Sequence, residues 1–201
     1  TNIFDLEFNS SEYIHLITEI ERRAYADRAT HLGDEDFWQV PSEMLLSEKY
    51  ANERVQNISI DKSTASDDIK AGISPFSESE ETTHYSVIDK YGNAVSVTTT
   101  INSGYGSGIT VTGAGFILNN EMDDFSSKPG VPNMFGLIGN EANAIEAYKR
   151  PLSSMTPTLV IKDDKPYLIL GTPGGSTIIT TVLQNILNVV IHKTVSYTHL
   201  T

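Results

Sequence analysis

The chain contains no cysteine among its 201 residues, so it has no disulfide, no thiolate metal ligand and no cysteine nucleophile. Cationic side chains are also few, with 14 Lys and Arg against 26 Asp and Glu and a formal net charge of -12. This charge argues against nucleic acid or an anionic membrane surface as a partner, because both require a basic face. No apolar run approaches the roughly 20 residues of a membrane span, and no targeting signal is visible.

The chain is 39% hydrophobic and long enough to bury a core, which favours one domain or a large part of one. Ser10 or Ser11 is a candidate N-cap for a helix across "SSEYIHLITEIERRAYADRA". The apolar residues of this segment recur at helical spacing: Tyr13, Ile14, Ile17, Ile20 and Ala24. A second helix is predicted after Pro41, over "PSEMLLSEKYANERVQNI", with Ser42 as its cap.

Residues 61–81 are rich in Ser, Asp, Glu, Lys, Gly and Pro without periodicity, which indicates a linker. From Thr83 to Ile101 the apolar period becomes two and "KYGN" interrupts it, so this segment predicts a hairpin. After a long loop with a short apolar "GFILNN", a second hairpin is predicted to turn at Asp163 and Asp164. "STIITTVLQNILNVVI" then predicts a largely buried helix, and the whole pattern indicates the α+β class.

Thr82 stands where the acidic linker meets the first predicted strand. Taken alone it is an ordinary strand residue, because β-branched side chains suit strands. A hydroxyl needs a nearby base to act as a nucleophile, however, and the freed α-amine of an N-terminal Thr can serve as that base. A cleavable linker joined to a strand is the layout that such chemistry requires.

Three further motifs are compatible with a site but do not establish one. "GTPGGST" from Gly171 could present backbone N–H groups to an anion at a helix N-terminus, although a plain turn explains it equally well. "NNEMDDF" groups carboxylates that could bind a cation or an ammonium ion: Glu121, Asp123 and Asp124. "KRPLSSMTPT" offers the hydroxyls of Ser153 and Ser154 in a turn bounded by prolines. The five His show no metal-ligand spacing, so neither a metal nor a cofactor is expected.

Taken together and in this order, "TTHYSVID", "TTTIN", "NNEMDDFSSKPGVPN", "KRPLSSMTPT" and "GTPGGSTIITTVLQ" resemble the small subunit of γ-glutamyltranspeptidases. "ERRAYADRATHLGDEDF" resembles the end of the large subunit of the same family, and the resemblance extends from Phe8 to Val190. It implies the four-layer αββα sandwich of N-terminal-nucleophile hydrolases, here partial and truncated at both ends. It also implies that residues 1–81 end the large subunit and residues 82–201 belong to the small one.

The resemblance implies a role for each motif. The precursor would split between Glu81 and Thr82, and the freed Thr82 would attack γ-glutamyl amides such as glutathione. Thr100 would hydrogen-bond the nucleophile, and the backbone of Gly174 and Gly175 would form the oxyanion hole. The α-amino end of the substrate would be held by three residues: Asn102, Glu121 and Asp124. Ser153 and Ser154 would donate to its α-carboxylate.

The resemblance also sets expectations for the whole protein. Ser126–Gly139 falls where family members carry a lid. Large and small subunits of one precursor would form a heterodimer that acts on small molecules in the periplasm or outside the cell. The family's substrate-binding Arg lies upstream of Thr1, so the chain by itself is expected to be inactive. The alternatives are a related acylase of the cephalosporin acylase type and an inactive truncated remnant.

Overall fold

A computed structural model describes residues 2–69, 82–134 and 136–195 of the chain. These residues form two compact units. The helical unit comprises Thr1–Pro75 and Asp124–Leu152, and the hairpin unit comprises Phe76–Asp123 and Ser153–Thr201. Glu81 and most of the linker predicted at 61–81 lie outside the described residues. No helix in the described ranges is long and apolar enough to cross a membrane.

Helix α1, Ser11–His31, is the longest element of the helical unit. It begins as predicted, because the Ser10 hydroxyl accepts a hydrogen bond from the Tyr13 N–H at 3.2 Å. Tyr13, Ile17 and Ala26 are buried. The predicted stripe is partly wrong, since Ile14 is 54% exposed and two charged residues of the helix are buried instead.

Those charged residues are Glu19 and Arg23, which form a buried ion pair one helical turn apart, with 2.8 Å between Nη1 and Oε2. Arg22 donates to the other Glu19 oxygen at 2.6 Å. The same carboxylate accepts from the Thr64 N–H at 3.2 Å, and Arg23 donates to Asn57 at 2.8 Å. The network therefore satisfies its own buried charges and also attaches residues 57–64 to α1.

The single helix predicted after Pro41 is wrong, because the segment forms two short helices. Helix α2 spans Ser42–Leu45, and helix α3 spans Glu48–Val55. The Ser47 hydroxyl interrupts the run by accepting the Tyr50 N–H at 3.2 Å, which makes it the N-cap of α3. Leu46, at the break, is 87% exposed. Helix α4, Ser66–Ile69, lies within the part predicted as linker.

The hairpin unit contains both predicted hairpins. Strand β1, Thr82–Ile88, pairs antiparallel with β2, Ala94–Thr100, and β3, Thr158–Lys162, pairs antiparallel with β4, Lys165–Leu170. Asp163 and Asp164 form the second turn with φ of 52° and 58°, the left-handed conformation that a two-residue type I′ turn requires. "GFILNN" forms no strand, although Ile117 makes an isolated bridge to Thr110.

The two hairpins pack through small polar side chains. Ser86 donates to the carbonyl of Ile169 at 3.2 Å, and Ser96 donates to the carbonyl of Leu170 at 3.0 Å. On the same face, Nδ1 of the His84 ring forms a hydrogen bond with the Thr98 hydroxyl at 2.8 Å. The opposite face of β1 carries Tyr85, which is 52% exposed. It is therefore the polar face of the first hairpin that meets the end of β4.

Helix α5, Ile178–Val190, closes the hairpin unit and follows a 3-10 turn at Gly175–Thr177. Ile178 and Val182 are buried, while Gln184 is exposed. The predicted helix is thus confirmed, but most of its side chains are half-buried where a largely buried helix was expected. Its burial is one-sided within the described residues.

The buried carboxylate of Glu19 makes stability depend on pH. Burial by itself would raise the pKa of Glu19, but hydrogen bonds from Thr64, Arg23 and Arg22 outweigh it and lower the pKa from 4.5 to about 2. Between these two pKa values Glu19 binds a proton more readily in the unfolded chain than in the folded one. The stabilisation is therefore present above pH 4.5 and is lost as the pH falls toward 2. We expect Glu19→Gln to lower the free energy of unfolding at neutral pH by roughly 3 kcal/mol, since it leaves Arg23 without its counterion.

Urea unfolding followed by circular dichroism between pH 2 and pH 7 measures this effect, and the curve of Glu19→Gln should be flatter than that of the unsubstituted chain. Glu53→Gln is the control, because Glu53 is exposed and lies 3.9 Å from Lys49, so its change should stay within roughly 0.5 kcal/mol. Parallel curves for Glu19→Gln and the unsubstituted chain would show that Glu19 is not the source of the pH dependence.

Gly171 is expected to tolerate no side chain while His84 keeps its position. A Cβ at Gly171 would lie 2.3 Å from two atoms of the His84 ring. Gly171→Ala should therefore cost about 2 kcal/mol of stability, as overpacking of a core does. In Gly171→Ala/His84→Ala the clash is removed, so the double variant should be less destabilised than the sum of the single variants. Additive unfolding free energies would show that the strain lies elsewhere.

Candidate active site

Thr82 and Thr100 lie directly opposite each other at one end of the first hairpin. The register of β1 and β2 runs without a shift from Thr82↔Thr100 to Ile88↔Ala94. Directly paired residues of an antiparallel ladder share a face, with Cβ atoms about 5 Å apart. Both threonines are half-buried. The structure thus brings the predicted nucleophile to the hydroxyl that is expected to hydrogen-bond it.

Asn102 follows Thr100 in a strained and buried position. Its φ is 79°, which is uncommon for a residue other than glycine, and it is 6% exposed. Its backbone N–H donates to the Thr100 hydroxyl at 2.9 Å, and its side-chain amide reaches the Asn120 carbonyl at 3.4 Å. The Asn120 amide oxygen in turn accepts the Ser103 N–H at 3.0 Å. These contacts join the end of β2 to the segment that leads into Glu121.

The acidic motif forms a 3-10 turn at Glu121–Asp124 that spans both units. Glu121 belongs to the hairpin unit, where burial raises the pKa of its carboxyl group. Asp124 belongs to the helical unit, where its charge acts on the half-buried Arg28. Burial lowers the pKa of Arg28, and the charges of Tyr25 and Asp124 oppose that shift.

The glycine loop joins β4 to α5 and has a conformation that only glycine adopts readily. Gly174 has φ of 133° and Gly175 has φ of 54°. Thr177 closes the turn by donating its N–H and its hydroxyl to the Gly174 carbonyl at 3.0 and 2.8 Å. Within the described ranges neither glycine N–H donates a backbone hydrogen bond. Two backbone donors at the start of a helix can therefore be directed at an anion.

Ser153 and Ser154 lie in the irregular segment before β3. Ser153 is exposed and accepts the Met155 N–H at 3.0 Å, while Ser154 is half-buried and its carbonyl accepts from Thr156 at 2.8 Å. The turn predicted between the prolines is absent, since residues 151–157 form neither a turn nor a regular element, and these local contacts order an irregular segment instead. Serine hydroxyl groups in such a segment can donate to a carboxylate.

Several positioning contacts were missed by the sequence analysis. Arg150 donates its backbone N–H to Asp34 at 2.8 Å and its Nε at 2.9 Å. The Arg150 side chain and backbone hydrogen bonds hold the pKa of Asp34 well below its usual range. The partners are 116 residues apart, so no local pattern could have revealed the pair. Asn143 was missed as well: its side chain contacts the backbone of Asp124 and of Leu152, but its sequence context, "EANAIEAYKR", has no periodicity or motif.

The predicted lid, Ser126–Gly139, is attached at its base in the helical unit. The Gly130 N–H donates to the Gly139 carbonyl at 3.0 Å, and Gly139 packs so closely on Ser126 that a Cβ there would lie 2.1 Å from its hydroxyl. A small pocket adjoins this loop; its polar lining residues are Arg28, Asp124, Ser126, Asn133 and Asn143. Movement of this segment stays a prediction.

Known proteins match the chain over nearly all of its length. The family model described as gamma-glutamyltranspeptidase matches residues 1–196. The glutathione hydrolase proenzyme of Escherichia coli K12 is 51% identical over 189 residues, which are 92% of this chain and 32% of that protein. The acylase ACY 1 proenzyme of Pseudomonas sp. SE83 is 35% identical over 192 residues, which are 96% of this chain and 32% of that protein.

A crystal structure of the Helicobacter pylori gamma-glutamyltranspeptidase T380A mutant is 65% identical, with a TM-score of 0.55 over 57% of this chain and 61% of that chain. These matches confirm the α+β fold of N-terminal-nucleophile hydrolases. The chain spans about a third of the length of the curated relatives it matches. Since a glutathione hydrolase shares half of its residues and the family model covers all but its last five positions, the chain belongs to the gamma-glutamyltranspeptidase family.

Proposed function

We propose that the chain is part of an N-terminal-threonine enzyme that cleaves γ-glutamyl amides such as glutathione. The γ-glutamyl group would pass to water or to an amino acid or peptide acceptor. The observation that carries this proposal is the β1–β2 register, which sets Thr82 opposite Thr100 in a chain of this family. Asn102 supports the pair by donating its backbone N–H to the Thr100 hydroxyl.

The first step is cleavage of the precursor. The Thr82 hydroxyl attacks the carbonyl carbon of Glu81, the C–N bond breaks, and the amide nitrogen takes a proton to become the α-amine of Thr82. Water then hydrolyses the resulting ester and restores the hydroxyl. The freed amine is the base that the second step requires, because a hydroxyl with an unperturbed pKa is a weak nucleophile. Glu81 lies outside the described residues, so the bond itself is assigned from the sequence.

In the second step the Thr82 hydroxyl attacks the γ-carbonyl carbon of the substrate and transfers its proton to the leaving amine. An ester links the γ-glutamyl group to Thr82 until water or an acceptor amine releases it. The N–H groups of Gly174 and Gly175 are proposed to stabilise the oxyanion, and the loss of such a donor costs about 3 kcal/mol in related chemistry. Their lack of backbone hydrogen bonds in the described residues supports this role.

Recognition is assigned by charge. Glu121 and Asp124, with the amide of Asn102, would hold the substrate α-ammonium, and Ser153 and Ser154 would donate to its α-carboxylate. We further propose that residues 1–81 end a large subunit and that Thr82 begins a small one, so that the two parts of one precursor stay together as a heterodimer. A periplasmic or extracellular location belongs to the same proposal.

Self-cleavage is expected in a completed precursor, in which the chain is extended at both ends by the corresponding segments of the Escherichia coli relative. Denaturing gels should show two polypeptides, and mass spectrometry should find Thr82 at the N-terminus of the lighter one. Thr82→Ala should remain a single polypeptide, because it lacks the attacking hydroxyl. Thr83→Ala is the matched control, since it changes the exposed neighbouring threonine and should still split. Cleavage of Thr82→Ala at the same bond would disprove the nucleophile.

Donor selectivity should separate a γ-glutamyl enzyme from an acylase. A glutaryl donor lacks the α-ammonium group that the half-buried carboxylates of Glu121 and Asp124 are proposed to bind, so we expect its kcat/KM to fall on the order of 100-fold or more. Release of p-nitroaniline from γ-glutamyl and glutaryl p-nitroanilides by the completed precursor measures the ratio. Equal turnover of the two donors would favour the acylase activity instead.

A further inference from the structure

Asn143 connects two segments of the helical unit through a single buried side chain. It ends a 3-10 turn at Glu141–Asn143 and is 6% exposed. Its Nδ2 donates to the backbone carbonyl of Asp124 at 2.7 Å, and its Oδ1 accepts the backbone N–H of Leu152 at 2.9 Å. Both ends of the amide are therefore used, and each is used on a main-chain group.

The first segment, residues 124–126, is held by Asn143 at two points. Besides the bond to the Asp124 carbonyl, the Asn143 carbonyl accepts the Ser126 N–H at 2.8 Å. Phe125, between these two contacts, is 3% exposed. The peptide groups on both sides of Phe125 are thus held by one residue, which fixes the Cα from which the Asp124 carboxylate extends.

The second segment, residues 150–152, leads directly into Ser153 and Ser154. Leu152 precedes Ser153 and Ser154 in the chain, and its N–H is held by Asn143. Two residues earlier, Arg150 is held by Asp34, whose side chain is 1% exposed. The course of the chain into the serines is therefore set by two anchors. Of these, Asn143 is the one that also holds Asp124.

We propose that Asn143 is a positioning residue for glutamyl recognition, which sets the backbone that carries the ammonium-binding Asp124 and the backbone that leads into the carboxylate-binding Ser153 and Ser154. The inference rests on the proposed function and adds to it a residue that touches no substrate. An amide is required because the site needs one donor and one acceptor. A carboxylate offers only acceptors, and a hydrocarbon offers neither.

The test uses the completed precursor with Asn143→Ala and Asn143→Asp and three p-nitroanilide donors. The γ-glutamyl donor has both α groups, the glutaryl donor lacks the ammonium, and the 4-aminobutyryl donor lacks the carboxylate. For Asn143→Ala we expect both selectivity ratios in kcat/KM to fall about tenfold, with a higher KM for the γ-glutamyl donor, because a buried hydrogen bond is lost on each side. Asn143→Asp keeps the acceptor for the Leu152 N–H but loses the donor to the Asp124 carbonyl. Its glutamyl-to-glutaryl ratio should therefore fall more than its glutamyl-to-aminobutyryl ratio.

Self-cleavage at Thr82 should proceed in both variants, because that step uses no α group of a substrate. Asn57→Ala is the matched control: Asn57 also lies in the helical unit, and its amide oxygen accepts from Arg23, outside both segments. This control should lose stability and keep both selectivity ratios. A general structural role for Asn143 would make Asn143→Ala behave in the same way.

Two failures can be told apart. If the unsubstituted precursor neither splits nor prefers the γ-glutamyl donor, the proposed function is wrong. If it does both, the inference about Asn143 is overturned when the variants keep the selectivity ratios or lose activity on all three donors equally. It is also overturned when neither variant matures, since Asn143 would then serve folding alone.

Discussion

The register of β1 against β2 is the constraint on which the proposed chemistry depends. Side chains alternate between faces along a strand, so a slip of one residue would move Thr82 to the face opposite Thr100. The polar face of the hairpin contacts β4 through His84, Ser86 and Ser96, and this packing favours one register over its neighbours. Gly171 is the point of closest approach, where a single added carbon would displace the His84 ring.

Buried polar contacts to the main chain do comparable work in the helical unit. Glu19 and Arg23 attach residues 57–64 to α1, while Asp34 and Asn143 hold the chain ahead of the serine pair. Each of these groups is buried, so water cannot replace a lost partner, and the contact is correspondingly selective for one arrangement. In the helical unit these side-chain contacts therefore hold the irregular segments in place, where helix or strand hydrogen bonds are absent.

Local rules predicted the elements whose cause is local. The Ser10 cap, the period-two runs and the Asp163–Asp164 turn each depend on a few adjacent residues, and the structure confirms all three. The helix after Pro41 was mispredicted because the Ser47 hydroxyl competes for the backbone within an otherwise helical run. The β1–β2 register follows from the hairpin, and with it the pairing of Thr82 and Thr100.

The remaining positions of the candidate site had no such local cause. The family resemblance supplied roles for the acidic motif, the serine pair and the glycine loop, but not the residues that hold their backbones. Asp34 and Asn143 act through tertiary contacts, one of them across 116 residues. Asp34 lies within a motif of the family resemblance that gave it no role, and Asn143 lies in no such motif. A single sequence contains no information of that kind, because loop segments carry no period from which a partner could be inferred.

The separation of Asp34 from Arg150 also bears on the order in which the chain folds. The β1–β2 hairpin joins strands only a few residues apart, whereas the ion pair must close a loop of 116 residues and so bears a larger entropic cost. Contacts of low sequence separation form first as a rule, which places the threonine pair among the early structures and the approach to the serines among the late ones. A nascent chain would accordingly form the surroundings of the proposed nucleophile before it fixes the backbone that leads into the serines proposed to bind the substrate carboxylate.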